Sequence, residues 1–194
     1  MHSQVITEDM IGKERRGSWS SYALGKGKDL VLRAFSVATH TTTGLAIDMA
    51  PESCGTNLSF IFPYDAPLDR DLEMQSVQID ARIDSGGIFY LLGMTKGTMG
   101  DEFGIIYLNA TDRYSALIDA MRAGNTVRFK ISRSSGEYIS TEIFSLSGLT
   151  YSLNRIGAAC GEISSAASRG APDANLPRVP AKPERGLKSL LYRP

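Results

Sequence analysis

The sequence predicts an α+β protein that is mainly antiparallel β-sheet, a β-sandwich or an open barrel with two short helices and an extended C-terminal tail. The first supporting observation is a series of short segments in which apolar and polar residues alternate, separated by turn residues. The second is a pair of later segments whose apolar residues have helical spacing. The third is length, because 194 residues with 42% hydrophobic content can bury the core of one domain.

The predicted strands begin at the only tryptophan. They are Trp19–Tyr22, Leu30–Val37, Gly44–Met49, Leu58–Phe62, Val77–Ile83, Ile88–Met94 and Phe103–Leu108. The segment Val77–Ile83 alternates most strictly, as expected for a strand with one buried face. Residues 1–18 are rich in polar and charged side chains and are predicted to form a flexible lead-in.

A first helix is predicted after Thr111 and Asp112, whose side chains are typical of helix N-caps. Its apolar stripe consists of Tyr114, Leu117, Ile118 and Met121. Gly124 is expected to end it, since glycine readily adopts the backbone conformation found just past a helix.

A hairpin and a second helix follow. Val127–Ile131 alternates and leads into the turn residues Ser134–Gly136. The returning strand Tyr138–Leu146 changes the parity of its apolar residues, which predicts a bulge near Ile143–Phe144. The apolar stripe of the second helix is Leu149, Leu153, Ile156 and Cys160. This last cysteine is therefore predicted to face the core.

The composition changes after Glu162. The predicted domain accordingly covers residues 19–162, and residues 163–194 form a basic, proline-rich tail that is expected to be extended. The end of the tail combines basic and apolar side chains and is the predicted partner-binding element. Its residues are Arg178, Lys182, Arg185, Leu187, Lys188, Leu190, Leu191 and Tyr192. The alternative is a disordered terminus without a partner.

The charge balance excludes one class of function. The chain has 21 Lys+Arg and 21 Asp+Glu, so it lacks the overall basic field of a nucleic-acid-binding protein. No apolar run approaches the roughly 18 residues that a membrane span requires. Residues 2–16 also lack the apolar core of a signal peptide.

The two cysteines, Cys54 and Cys160, are too far apart in sequence for a short metal-binding motif, and two histidines add few ligands. No metal or cofactor is therefore predicted. In an exported protein the pair would favour a long-range disulfide that closes a loop of about 100 residues. The alternative is two buried thiols that do not meet.

No catalytic residue is predicted either. A Ser-His-Asp triad would have to use His40 with an acid such as Asp48, but the G-x-S-x-G motif is absent, and a histidine in a surface loop is the better interpretation. The acidic run from Asp65 to Glu73 lacks the spacing of a calcium loop and is expected to be a solvated linker.

Several features together resemble a known family. They are a lone early tryptophan, the sequence MRAG at Met121–Gly124, the sequence FSLSG at Phe144–Gly148, and a short helix ending in Cys160. This arrangement, most specific over residues 121–160, is similar to the invasion-associated locus B family of small proteobacterial envelope proteins. The resemblance implies a β-rich, disulfide-containing, non-enzymatic protein that is periplasmic or secreted after removal of a leader.

The expected function is therefore that of an envelope or host-interaction accessory protein that binds another protein, with invasion as an associated role. The tail is the first candidate contact, and the polar strand faces around Arg82, Arg128 and Lys130 are the alternative. A second hypothesis is an inhibitor or immunity protein that blocks a hydrolase or toxin with the loop Pro51–Cys54 or Asp65–Glu73. A third is a small-ligand carrier or a hydrolase that uses His40. The oligomeric state is left open.

Overall fold

The computed structural model describes residues 10–63, 74–97, 103–109 and 114–168. These residues form ten strands and two α-helices. The strands are β1 (Ile11–Arg16), β2 (Trp19–Leu24), β3 (Val31–Val37), β4 (Gly44–Met49), β5 (Thr56–Pro63), β6 (Ser76–Ile83), β7 (Ile88–Lys96), β8 (Phe103–Leu108), β9 (Thr126–Arg133) and β10 (Tyr138–Ser145). The helices are α1 (Tyr114–Ala123) and α2 (Leu149–Ser168), and a 3₁₀ turn spans Gly27–Asp29.

The ten strands form one antiparallel sheet in the order β1-β2-β3-β4-β5-β8-β7-β6-β9-β10. The predicted α+β fold is confirmed, as one continuous open sheet with two helices. The sheet curls until its ends approach each other. The amide of Ser18 donates a hydrogen bond to the carbonyl of Ser147 at 2.9 Å, and that of Thr39 donates to the carbonyl of Ile143 at 2.8 Å. These bonds bring the end of β10 to the start of β2 and the end of β3 without closing a barrel.

The inner face of the curled sheet holds the core. Helix α2 packs on β1–β4 and also contacts α1. The predicted stripe of α2 is fully buried at Leu149, Leu153, Ile156 and Cys160. On the strands farther along the sheet, three fully buried phenylalanine rings meet with centroids 4.9, 6.0 and 6.2 Å apart. These are Phe60, Phe129 and Phe144.

The first strand corrects one prediction. Residues Ile11–Arg16 form an edge strand paired with β2, so the prediction of a flexible lead-in over residues 1–18 is wrong for this segment. Apolar and polar residues do not alternate in β1. The strand needs no apolar row, because backbone pairing with β2 and contacts from α2 hold it in place. Arg155 of α2 donates hydrogen bonds to the carbonyl oxygens of Gly12 and Ser21, and it forms a 3.2 Å ion pair with Glu14.

The predicted bulge is also misplaced. The register of β10 against β9 shifts between Tyr138 and Ser140, not at Ile143–Phe144. From Ser140 onward alternate residues point inward, so Glu142 and Phe144 share the buried row. Because the buried row contains Glu142, the apolar residues of this strand change parity at Ile143–Phe144 without a bulge there.

A glycine allows α2 to begin directly beneath the turn between β1 and β2. Gly148 has a φ of 92°, a conformation that L side chains rarely adopt. A Cβ at this position would overlap the carbonyl oxygen of Arg16. From there α2 continues to Ser168, past the predicted domain boundary at residue 162. Neither helix has the length and apolar character needed to cross a membrane, within the part of the chain that is described.

Candidate functional site

The outward faces of β7 and β8 carry a group of exposed apolar side chains. On β7 the outward residues are Ile88, Tyr90 and Leu92, which are 44%, 62% and 52% exposed. On β8 the outward residues Phe103 and Tyr107 are 41% and 45% exposed. Tyr107 lies opposite Met94, the next outward residue of β7 after Leu92. Ile88, Tyr90, Leu92 and Tyr107 therefore form one surface, called here the outer patch, and Phe103 lies apart from it at the start of β8, beside Pro63.

The local sequence explains this surface. Along β7 the inward side of the strand is occupied by buried Leu91 and by Gly93, and along β8 by Gly104 and Ile106. The core is therefore supplied by one parity of each strand, as in any half-buried strand. The other parity is apolar too, and the described residues leave it partly open to solvent.

A basic row borders the outer patch. On β6 the outward residue Arg82 lies opposite Ile88 of β7 on one side and opposite Arg128 of β9 on the other. Lys130 is the next outward residue of β9 and lies opposite Asp80. Two like charges directly opposite each other on neighbouring strands repel. The Arg82–Arg128 pair therefore leaves a local excess of positive charge, which suits an acidic contact from outside.

The cysteines predicted to pair do come together. The sulfur atoms of Cys54 and Cys160 are 2.10 Å apart and the Cα atoms 5.8 Å apart, so the structure contains a disulfide that links the β4–β5 turn to α2. Cys54 adopts a positive φ of 50° in that turn. The disulfide thus braces the loop Pro51–Cys54, in which Glu52 is exposed.

The positions of His40 and Asp48 do not support a catalytic triad. His40 is exposed in the loop between β3 and β4, whereas Asp48 lies near the other end of β4. Asp48 accepts two hydrogen bonds from Arg33, of 2.7 Å from Nε and 2.8 Å from Nη2. This carboxylate therefore serves an ion pair on the outward side of β3 and β4.

The environment of that ion pair shifts two pKa values. Burial opposes the charge of Arg33, but its hydrogen bonds to Asp48 and the carboxylate charge outweigh this effect and raise the pKa of the guanidinium. Burial also raises the pKa of Tyr22, which lies beside the pair. Both effects stabilise fixed protonation states, as expected for structural rather than reactive groups.

Two other predicted elements lie outside the described residues. One is the partner-binding tail with Arg178, Lys182, Arg185, Leu187, Lys188, Leu190, Leu191 and Tyr192, and the other is the acidic run Asp65–Glu73. Among the residues that are described, no group of three His, Cys, Asp or Glu side chains is placed to hold a metal ion.

Sequence reasoning singled out the basic row but missed the outer patch. A signal was available, because the segment Ile88–Leu92 is apolar at every position. Such a strand is either covered on both faces or leaves one apolar face open. No protein-family model, curated protein or solved structure matches the chain, so the surface itself carries the functional argument.

Proposed function

We propose that this chain is an exported, non-enzymatic binding protein that docks a partner protein of the envelope or of a host through the outer patch and the basic row. The observation that carries the proposal is the grouping of four large apolar side chains, each 44–62% exposed, on two adjacent strands. Contiguous exposed apolar surface of this kind is typical of interaction sites rather than of ordinary protein surface.

The energetics favour a partner that covers the patch. Fully burying a large apolar side chain is worth roughly 1.5–3 kcal/mol, so covering one that is half exposed contributes about 1 kcal/mol. The four side chains of the outer patch thus supply a binding core, and two of them are tyrosines, which are enriched at such positions.

The basic row argues for the chemistry of the partner. The neighbouring Arg82 and Arg128 repel each other on the free protein, whereas the charge of Lys130 beside them is offset by Asp80 opposite. A partner with acidic side chains around an apolar centre would relieve this repulsion and accelerate association. Binding should accordingly weaken as the salt concentration rises.

The disulfide supports export as part of the proposal. Disulfides persist in the periplasm and outside the cell and are rare in the cytosol. The bond between Cys54 and Cys160 closes a separation of 106 residues, which suits a structural bond.

The decisive experiment compares two double variants as bait in envelope extract. Tyr90→Thr with Leu92→Thr removes the centre of the outer patch and introduces β-branched side chains, which favour strands. Val37→Thr with Tyr138→Thr is the matched control, because these side chains are 51% and 58% exposed but lie on β3 and β10. We expect the patch variant to bind the captured partner at least about 10-fold more weakly and the control to bind like the wild type.

Three outcomes would overturn the proposal. One is equal capture by both double variants. Another is flotation of the wild type with anionic lipid vesicles, lost in the patch variant, which would make the surface a membrane contact. The third is a wild-type dimer that the patch variant cannot form. Deletion of Ala171–Pro194 tests the tail separately, and unchanged capture would remove the tail from the binding site.

A further inference from the structure

A second candidate site lies on the inner side of the sheet. A pocket of about 480 Å³ opens between the loop that joins β3 to β4 and the adjoining ends of β5, β6, β7, β9 and β10. Its deepest lining is apolar and comes from the core residues Phe60, Val77, Ile106 and Ile131. A partly open, mostly apolar cavity of this size at the mouth of a curled sheet is a common form of small-molecule site.

The polar lining of this pocket, called here the end pocket, includes the carboxylate of Glu142. The side chain is only 4% exposed and points inward from β10, in the same row as the fully buried Phe144. Its Oε2 atom accepts a hydrogen bond from the hydroxyl of Thr41 at 2.5 Å. Both residues line the pocket, so the carboxylate lies at the boundary between the cavity and the core.

This carboxylate has no ion-pair partner among the described residues. Their three ion pairs join Arg33 to Asp48, Arg133 to Glu137 and Arg155 to Glu14. Arg133 is the basic residue of the pocket lining, and its Nε is 3.2 Å from Glu137, a carboxylate on the exposed side of the β9–β10 hairpin. Among the described residues, the carboxylate of Glu142 therefore has one hydrogen-bond donor, the neutral hydroxyl of Thr41.

A buried carboxylate is costly unless a cation or several hydrogen-bond donors surround it. One hydroxyl satisfies a small part of its capacity to accept hydrogen bonds. A cation that enters the cavity would complete the site, and the apolar lining would cover the rest of the same molecule. The pocket thus combines an attachment point for positive charge with a surface that excludes water.

We infer that the end pocket binds a small molecule that has an apolar body and a primary ammonium group, with the ammonium held by Glu142 and Thr41. The pocket excludes long polymers by its size, and the carboxylate of Glu142 repels an anionic group placed beside it. This site is independent of the outer patch, because the two lie on opposite faces of the sheet. Either can be present without the other.

Tryptamine and tryptophol are the probes. They share an indole body and the same number of heavy atoms but end in an ammonium and a hydroxyl, respectively, and indole-3-propionate adds the opposite charge. Titration is followed by protein-observed NMR, because ligands of this size bind in about the millimolar range. We expect tryptamine to bind about 10-fold more tightly than tryptophol, with shifts at Phe60, Ile106 and Glu142, and the propionate not to bind there.

Two variants assign the discrimination to the carboxylate. Glu142→Gln should bind tryptamine and tryptophol equally, and Thr41→Val, which retains the carboxylate, should weaken tryptamine binding while keeping the preference. Glu52→Gln is the matched control, since that carboxylate is exposed in the β4–β5 turn and does not line the pocket, and it should behave like the wild type. The melting temperature and the amide spectrum of each variant establish that it is folded.

The inference is overturned if no probe shifts the pocket resonances, or if the wild type binds tryptamine and tryptophol equally. It is also overturned if folded Glu142→Gln leaves both affinities unchanged, because the carboxylate would then have a purely structural role. Unchanged affinities in folded Thr41→Val would contradict the assignment of the ammonium to Thr41. Equal loss of tryptamine preference in Glu52→Gln would show that the preference follows the overall charge of the protein and likewise contradict the assignment to Glu142.

Discussion

The two ends of the sheet use their polar and apolar side chains in opposite ways. Where α2 covers β1–β4, polar groups reach across the fold to fixed partners. The indole Nε1 of Trp19 donates to the carbonyl of Ser145 at 2.8 Å, and Arg155 holds the backbone of β1 and β2. On the outer side of β6–β9, in contrast, apolar Tyr90 and Leu92 and like-charged Arg82 and Arg128 are turned toward solvent.

This difference separates stability from binding. A buried group with specific partners is expensive to remove, because its partners lose their hydrogen bonds or packing. An exposed apolar side chain contributes little to folding but gains much when a partner covers it. Substitutions in the α2-covered region should therefore change the free energy of unfolding, and substitutions on the outer side should change binding.

Removing the disulfide should have the largest effect. In Cys54→Ala with Cys160→Ala, the unfolded chain regains the entropy of a 106-residue separation. The chain-entropy model puts the loss of stability at about 4–5 kcal/mol. Denaturant unfolding measures this change. Wild type treated with a reductant should show the same lowered midpoint, and a midpoint unaffected by both treatments would mean that the bond adds no stability to the α2-covered region.

Breaking the contacts of Arg155 should come next. Arg155→Met keeps the aliphatic stem but removes hydrogen bonds to Gly12 and Ser21 and the ion pair with Glu14. The expected cost is about 2 kcal/mol, with faster amide hydrogen exchange in β1. Arg122→Met is the control, because Arg122 donates to the exposed side chain of Asn154. Equal effects of the two variants would contradict the structural role of Arg155.

The pH dependence of stability at alkaline pH tests the buried phenol of Tyr114, and the expected effect on the free energy of unfolding is smaller. Burial raises the pKa of the Tyr114 phenol above its ordinary value of 10.0, the charge of Asp48 raises it further, and a contact with Thr56 opposes the shift. The unfolded chain therefore loses this proton at a lower pH than the folded protein, so stability is intact below about pH 10 and falls above it.

The contribution of this one group is at most about 1.4 kcal/mol per pH unit. Between about pH 10 and pH 12, the unfolding free energy of Tyr114→Phe should fall less steeply with pH than that of the wild type. Near neutral pH the difference in unfolding free energy between the two proteins should not depend on pH. An identical slope in both proteins would show that the folded state does not favour the protonated phenol.

The strand and helix pattern could be predicted because it depends on local periodicity. Val77, Ile79 and Ala81 alternate in the sequence and are buried in the structure. The stripe of α2 behaves in the same way, so Cys160 faces the core as expected. Strand β1 could not be found by this means, since an edge strand held by backbone pairing and by Arg155 needs no apolar row.

The order of the strands and the candidate sites depend on distant parts of the chain. The sequence of β5 does not predict that β8 pairs with it, and the sequence of β6 does not predict that β9 pairs with it. The position of Glu142 in an inward row follows only from the register shift at Tyr138–Ser140. The apolar outward residues of β7 were visible in the sequence, but their exposure depends on what the rest of the fold leaves uncovered.

The smallest effect on folding should come from the outer patch. Tyr90→Thr with Leu92→Thr exchanges two exposed apolar side chains for a residue that favours strands, so the free energy of unfolding should change by no more than about 0.5–1 kcal/mol. The same variant is expected to lose partner binding. Thermal unfolding and binding measured on one preparation therefore separate the two roles. A large loss of stability would show that these side chains support the fold, and the contrast between the two ends of the sheet would then be one of degree only.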